Sequence, residues 1–479
     1  MQSYTDFLER KSHLGGNHGF DPLFLPDWLF DFQKYLVNYS TLKGRSAIFA
    51  DCGLGKTPMQ LVWAQNVLQH TNKPVLIATP LAVSYQILKE ANKFGIEVHK
   101  IQDGKNIPTS IVITNYQRLH HFNPADFSGM VCDESSILKN FDGATKQTIT
   151  NFMRKLPYRL LCTATAAPND YVELGTSSEA LGELGHMDML NRFFRNVDGS
   201  TLGGSHGFRH KHQARLDAFT GKKSFWRFKH HAEIPFWKWV CSWARAIRKP
   251  SDFGFNDVQD NYSFILPDLI ETLHEVNAPS INENLFSDLS FLNPAELGLK
   301  AERKERNKSL TQRCERVAEL VNDHDYSVSW CQLNPEGDLL EELIPGSKQV
   351  SGSQSDEEKE EILMAFSNGE LKKLITKSKI AGFGLNWQHC NHTTFFPSHS
   401  YEQYYQSLRR FLRFGQTRNV IADMVASEGQ KPIIENLHRK AVAIDKMFTE
   451  LVKYMNESIS ISKQSLDQKQ INIPSWLQK

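Results

Sequence analysis

The chain has 479 residues, 55 of them basic and 54 acidic, for a net charge of +1. At ~150 residues per domain that length suggests about three units, and the balanced charge means that any nucleic-acid-binding surface must be local. Seven scattered cysteines with no CxxC pair argue against a disulfide framework or zinc ribbon, and no apolar run reaches the ~18 residues of a membrane span. With no signal-peptide core in MQSYTDFLERK, a soluble chain in a reducing cytoplasm is expected.

In chain order, Ser46–Ala50 reads as a buried strand, followed by ADCGLGKT, a phosphate-binding loop from Ala50 to Thr57. Gly53 and Gly55 let successive N–H groups turn inward around phosphates, Lys56 reaches the β/γ-phosphates and Thr57 holds magnesium. Gln60–Gln69 reads as the helix that follows. Short apolar runs then alternate with helical patterns up to Ala166: PVLIAT, SIVIT, MVCDE and RLLCTATA, with Ser84–Phe94 as one helix. That alternation predicts an α/β domain with a parallel sheet. At the end of MVCDE, Asp133 is placed for the magnesium shell and Glu134 for polarising an attacking water, the two requirements of phosphoryl transfer. The loop and this carboxylate pair together predict a nucleoside-triphosphatase site using magnesium.

Residues 183–310 differ in character, being rich in His, Trp and Phe, and read as a mainly helical insertion with a linker. Phe236, Val240, Trp243 and Ile247 recur at helical spacing, so Trp237, Trp239 and Trp243 are expected in a core. His206–Ala232 is the one strong basic patch, carrying Lys222 and Lys223 among five other cations, with interleaved aromatics. It is a candidate phosphate-gripping surface, the alternative being a solvated loop whose aromatics are buried. A second α/β series, YSVSWC, KQVSG, KKLIT, HTTFF and VIADMV, spans Tyr326–Val425, with helices at Asp338–Leu343, Ser355–Phe366 and Tyr401–Phe411. From Pro432, Ile434, Leu437, Ile444, Phe448, Leu451 and Met455 form one apolar face, predicting a helix docked against the second domain.

Five ordered strings carry a resemblance: ADCGLGKT, DESSILKN (Asp133–Asn140), CTATAAPND (Cys162–Asp170), KIAGFGLN (Lys379–Asn386) and QSLRRFLRFGQ (Gln406–Gln416). From about Phe32 to Gln416 the chain resembles superfamily-two helicases, most closely the Swi/Snf-like branch, and its variants look like compact helicases of phages and prophage islands. The resemblance implies α/β architecture of two tandem RecA-like parallel-sheet domains with a mainly helical insertion and a C-terminal helix. The expected divisions are 1–182, 183–310, 311–430 and 431–479.

It also implies roles. Gln33 matches the adenine-reading Q motif, Arg410 and Arg413 the finger motif on one helical face, and Gln406 and Gln416 its flanking glutamines, with Gln416 toward the nucleotide. Thr163 and Thr165 match the motif coupling hydrolysis to movement. Thr79, Pro80, Ser84, Asn115, Tyr116, Ser378, Gly384 and Asn386 match strand-contacting positions. Arg409 stands where the family pattern has Gly, Ala166 where it has Pro, and Ser136 replaces the common His. The implied activity is an ATP-dependent DNA helicase or translocase, duplex favoured and RNA possible, in the cytoplasm of a bacterium or phage-infected host. A nucleic-acid-binding scaffold switched by ATP, or a motor for a separate nuclease or methyltransferase, are the alternatives.

Overall fold

The computed structural model describes residues 16–80, 83–167, 170–196, 226–259, 262–277, 306–382 and 385–467. The apolar runs of the first half become short strands: β1 (Arg45–Ala50), β2 (Val75–Thr79), β3 (Val98–Lys100), β4 (Ile111–Asn115), β5 (Gly129–Asp133) and β6 (Tyr158–Thr163). All but β3 are buried nearly throughout, as parallel strands covered on both faces must be. Helices α1 (Asp31–Lys43), α2 (Lys56–Thr71) and α3 (Ser84–Lys93) are in this half. Residues of α1 and α2, with Trp63 fully buried, share one core layer with Ile48, Ile77 and Val131 of the sheet.

The sheet has a seventh strand that the periodicity of the insertion concealed. After a two-stranded antiparallel ribbon, β7 (Phe194–Asn196) with β8 (Trp226–Phe228), helix α4 (Glu233–Trp243) ends and β9 (Ala244–Ile247) pairs in parallel with β1. The order is β3-β4-β2-β5-β6-β1-β9. Ile247 therefore lies on a strand and not on the helix expected to include it. The pairing surface offered by β1 outweighs the helical pattern, because a sheet edge supplies both hydrogen bonds and burial. The three tryptophans of α4 are core, as expected.

A small hairpin, β10 (Val258–Gln259) with β11 (Tyr262–Ser263), leads to β12 (Leu269–Val276), the outer strand of a second parallel sheet. Its other strands are β13 (Ser327–Trp330), β14 (Ser347–Val350), β15 (Lys373–Thr376), β16 (His392–Phe395) and β17 (Val420–Ser427), in the order β12-β17-β16-β13-β15-β14. The second domain thus begins inside the stretch assigned to the insertion, and the divisions at 182/183 and 310/311 both fall within folded units.

Helix α5 (Tyr401–Leu408) precedes β17, and α6 (Lys431–Asp467) follows it. The apolar face of α6 is real, but from Ile444 onward its partner is the first domain and not the second. Ile444, Phe448, Leu451 and Met455 join Phe236, Trp237 and Trp243 of α4 and the β9 alanines in one cluster of the first domain. Arg248 pairs with Asp445 at 2.8 Å, and the Ala246 N–H points at the Met455 sulfur, 3.1 Å away. Nearer its start, Lys440 donates to the His399 carbonyl of the second domain at 2.8 Å. The helix therefore starts on one domain and finishes on the other. No described helix is long and apolar enough to cross a membrane.

Candidate functional site

The phosphate-loop glycines have the geometry their motif requires. Gly53 has φ +90° and Gly55 φ +73°, both left-handed, and α2 begins at Lys56. Each is also pressed upon. A Cβ on Gly53 would stand 2.7 Å from the Phe414 backbone nitrogen of the second domain, and one on Gly55 would stand 2.3 Å from Gln33 Nε2. Lys56 Nζ lies over the loop and donates to the Ala50 carbonyl at 3.0 Å. Gln33 ties the loop to the chain before it: its Nε2 donates to the Leu54 carbonyl at 3.0 Å and its Oε1 accepts from the Phe30 N–H at 3.1 Å. One donor and one acceptor of its amide thus tie the loop in place, and the side chain lines the cleft.

The strand order β5-β6-β1 brings the C-terminal ends of three neighbouring strands together: the carboxylate pair, the Thr163 motif and the loop. Asp133 accepts from Gln60 Nε2 at 2.7 Å on one oxygen and from the Thr79 hydroxyl at 2.9 Å on the other. Glu134 has φ +51°, an unfavourable region for a side-chain-bearing residue that turns its carboxylate out of the strand direction. The Thr163 hydroxyl lies 3.3 Å from Glu134 Oε2, and the Thr165 N–H donates to Thr163 Oγ1 at 3.0 Å, so Thr163 touches the expected catalytic carboxylate and Thr165 supports it. Burial pushes both carboxyls above the usual range, opposed at Asp133 chiefly by the Gln60 and Thr79 hydrogen bonds and at Glu134 by Lys56.

The second domain closes the site. Arg410 and Arg413 both donate to the Leu385 carbonyl, at 2.9 and 3.0 Å, and their charges act on Glu134. They do not share a helical face: α5 ends at Leu408 and both arginines lie in the turns that follow, where the Arg410 carbonyl accepts from Trp387 N. Burial, then the like charge of Arg410, brings Arg413 down to about 10. The domains enclose a cleft of about 1200 Å³ lined by Gln33, Lys56, Thr57, Glu134, Arg410 and Arg413 among others. Two ion pairs that the motifs do not announce cross between the domains, Arg409 with Asp51 at 3.1 Å and Lys139 with Glu402.

The residues present fit a magnesium nucleotide. Left-handed glycines at a helix N-terminus suit phosphates. One carboxylate, Asp133, and one hydroxyl, Thr57, suit a magnesium ion that takes its remaining ligands from phosphate and water. Among the described residues no cluster of three or more His, Cys, Asp or Glu forms an all-protein metal cage. The Thr57 hydroxyl meets Glu90, a cleft carboxylate that sequence reasoning missed because no local pattern marks it.

Other expected roles change. Thr79 and Tyr116 are buried, and their hydroxyls serve the carboxylate strand: Tyr116 donates to the Asp133 carbonyl and lies 3.2 Å from Cys132 Sγ. Ser84 and Ser378 are also buried. All four are buried in this state, and the hydroxyls of Thr79 and Tyr116 are also engaged within the fold. Asn115 caps the turn after β4 by accepting from Arg118 N at 3.0 Å, Pro80 is half-buried, and Asn386 is exposed at the cleft. Gln416 is not at the nucleotide: its Nε2 donates to the carbonyls of Gln388 and Cys390 and its Oε1 accepts from Thr417 and Arg418, pegging the second domain together. Gln406 is buried, and its amide has no hydrogen-bond partner among the described residues. Gly384, Lys222 and Lys223 lie outside the described residues. Of the basic segment, Trp226 and Phe228 pack against the core of the first domain.

Residues 330–415 match the family model described as the helicase conserved C-terminal domain, a stretch that includes Leu385, Arg410 and Arg413. No curated protein matches the chain. Among solved structures, the Sulfolobus solfataricus SWI2/SNF2 ATPase core in complex with dsDNA is similar, with 18% identity, coverage of 91% of this chain and 96% of that one, and a TM-score of 0.38. The domain match places a helicase-type C-terminal fold over residues 330–415, and the two parallel sheets bear out the α/β architecture of two tandem domains.

Proposed function

We propose that this chain couples ATP hydrolysis to movement along DNA, with duplex as the favoured track. The observation that carries the reading is the composition of the cleft: phosphate loop and carboxylates from one domain, two arginines from the other. A site divided in this way is complete only when the domains close, so hydrolysis and release become domain motion.

Each residue has a part. The loop N–H groups and Lys56 hold the phosphates. Asp133 and Thr57 would hold a magnesium ion, which would supply neutralisation of phosphate charge. Glu134, once ionised, orients the attacking water, and Arg410 and Arg413 meet the charge that develops on the transferring group. Thr163, in contact with Glu134, is suited to transmit the state of that carboxylate to the rest of the first domain. The preference for duplex rests on the Swi/Snf-like form of the motifs.

The test is ATP turnover by the purified chain alone and with duplex DNA, single-stranded DNA or RNA, with Lys56→Ala as the blank. Strong stimulation by duplex supports the proposal. Stimulation by single strands alone points to a strand-separating DNA enzyme, and stimulation by RNA alone to an RNA helicase. ATP binding without turnover under any condition refutes the motor reading in favour of a switched scaffold or a motor that needs a nuclease or methyltransferase partner.

A further inference from the structure

Asp51, the second residue of the phosphate loop, is held on four sides. Its N–H donates to the Ile247 carbonyl of β9 at 2.9 Å, anchoring it to the sheet. Its Oδ1 accepts from the Cys52 N–H at 2.6 Å and from the Tyr405 hydroxyl at 2.5 Å, and its Oδ2 accepts from the Arg409 guanidinium at 3.1 Å. Tyr405 and Arg409 belong to the second domain, more than 350 residues further along the chain, and the guanidinium carbon stands 4.9 Å from the centre of the Tyr405 ring. The two charged side chains are largely hidden from solvent. Arg409 is directly followed by the finger Arg410, and the turn from Arg409 to Arg413 carries both fingers.

We infer that Asp51, Tyr405 and Arg409 are positioning residues: a contact made only when the domains close, which sets the turn bearing Arg410 and Arg413 against the phosphate loop. This inference rests on the hydrolytic reading of the cleft and adds residues that act through the fingers. The physical argument is one of differential stabilisation. In a separated state Asp51 and Arg409 are each solvated and contribute nothing to holding nucleotide in the first domain. In the closed state they form an ion pair in a water-poor interface, reinforced by a phenol donor on the same carboxylate and by the ring beside the cation. An interaction present in the closed, reactive state and absent from the open, nucleotide-loading one raises turnover while leaving initial binding alone. Breaking one partner of such a pair leaves the other charge buried and unpaired, which opposes closure.

The experiment measures kcat, KM for ATP and nucleotide affinity in Arg409→Ala, Arg409→Lys, Asp51→Asn, Tyr405→Phe and the double variant Asp51→Asn with Arg409→Ala. Asp51→Asn keeps an oxygen for the Cys52 N–H and removes the charge and the acceptor that faces Arg409. The expected result is a kcat lower by about tenfold in Arg409→Ala and Asp51→Asn with nucleotide affinity within about twofold, substantial recovery in Arg409→Lys, and a double variant no slower than the worse single one. Unchanged kcat in Arg409→Ala, or losses that multiply in the double variant, would overturn the inference. So would equal losses in kcat and in nucleotide affinity, which indicate a merely structural role.

A second measurement separates this inference from the hydrolytic reading. Small-angle scattering with ADP and beryllofluoride reports compaction without turnover. Compaction in the wild type that is lost in Arg409→Ala supports the contact even if the wild type hydrolyses no ATP, a result that would sink only the motor reading. Equal compaction in both, or none in the wild type, overturns the contact.

Discussion

The Thr79 hydroxyl stands 2.9 Å from Asp133 Oδ2 and donates to it, joining the end of β2 to the end of β5 beneath the cleft. The residue expected to touch a nucleic-acid strand thereby organises Asp133, the carboxylate proposed to hold magnesium. Thr79→Val keeps the shape and removes the donor, forfeiting about 1.5–3 kcal/mol of support for the ionised form. The expected outcome is an approximately tenfold rise in the magnesium concentration needed for half-maximal turnover, with nucleotide-free DNA binding unchanged. A magnesium titration beside a DNA-binding isotherm checks both.

The buried carboxyls make stability depend on pH. Burial raises the folded-state affinity of Asp133 and Glu134 for protons above that of the unfolded chain. The folded state therefore binds more protons in the window between the ordinary carboxylate range and the raised folded values. Their contribution is fully present below that range and is lost as pH rises through the folded values. The variant Asp133→Asn with Glu134→Gln should be more stable than the wild type at neutral pH, the gap closing toward about pH 4. Urea melts at the two pH values measure it. Because Glu134 must be ionised to act, the acid limb of the kcat profile should lie above the ordinary carboxylate range, with an apparent value belonging to the pair.

Tyr116 is a strut behind the carboxylates. Tyr116→Phe removes the donor to the Asp133 carbonyl, at an expected cost of about 1–3 kcal/mol in stability, and should leave affinity for nucleic acid unaltered. A loss of DNA affinity without a loss of stability would restore Tyr116 to the strand-contact role expected from its motif.

Leu451 lies in α6 yet belongs to the core of the first domain. Leu451→Ala should cost about 2–5 kcal/mol, and hydrogen exchange should accelerate at Ala246 in β9, whose N–H faces Met455. Exchange confined instead to the strands of the second domain would contradict the packing of this helix.

Much of this was legible in the sequence, for definable reasons. The phosphate loop, Asp133, Glu134 and the finger arginines sit in contiguous strings whose chemistry dictates their spacing, and the strands are buried apolar runs of parallel type. The capping box at Ser355 also reads directly: its hydroxyl accepts from Glu358 N, and the Glu358 carboxylate accepts from Ser355 N. What was not legible concerns partners. The stripe on α6 announces that something must cover it but not which domain does. The string ARAI after a tryptophan-rich helix continues a helical period, and only the free edge of β1 makes it a strand. The hydroxyls of Thr79 and Tyr116 carry no mark saying whether they face a phosphate or a neighbouring strand. Asp51, and Arg409 where the family pattern has Gly, acquire their meaning from a closeness that no local pattern encodes.

The route of α6 has a consequence for how the chain is made. The flank of the first domain formed by Phe236, Trp243 and the alanines of β9 is covered by residues more than 200 positions later, since Ala246 meets Met455 across a separation of 209. Synthesis proceeds from the N-terminus at about 5–20 residues per second. The first domain therefore waits on the order of ten seconds or more, its flank still bare, while the entire second domain emerges. A helix that emerges only after the second domain completes the first, so a ribosome that stalls in β17 would leave an unsealed apolar surface as the substrate for chaperones.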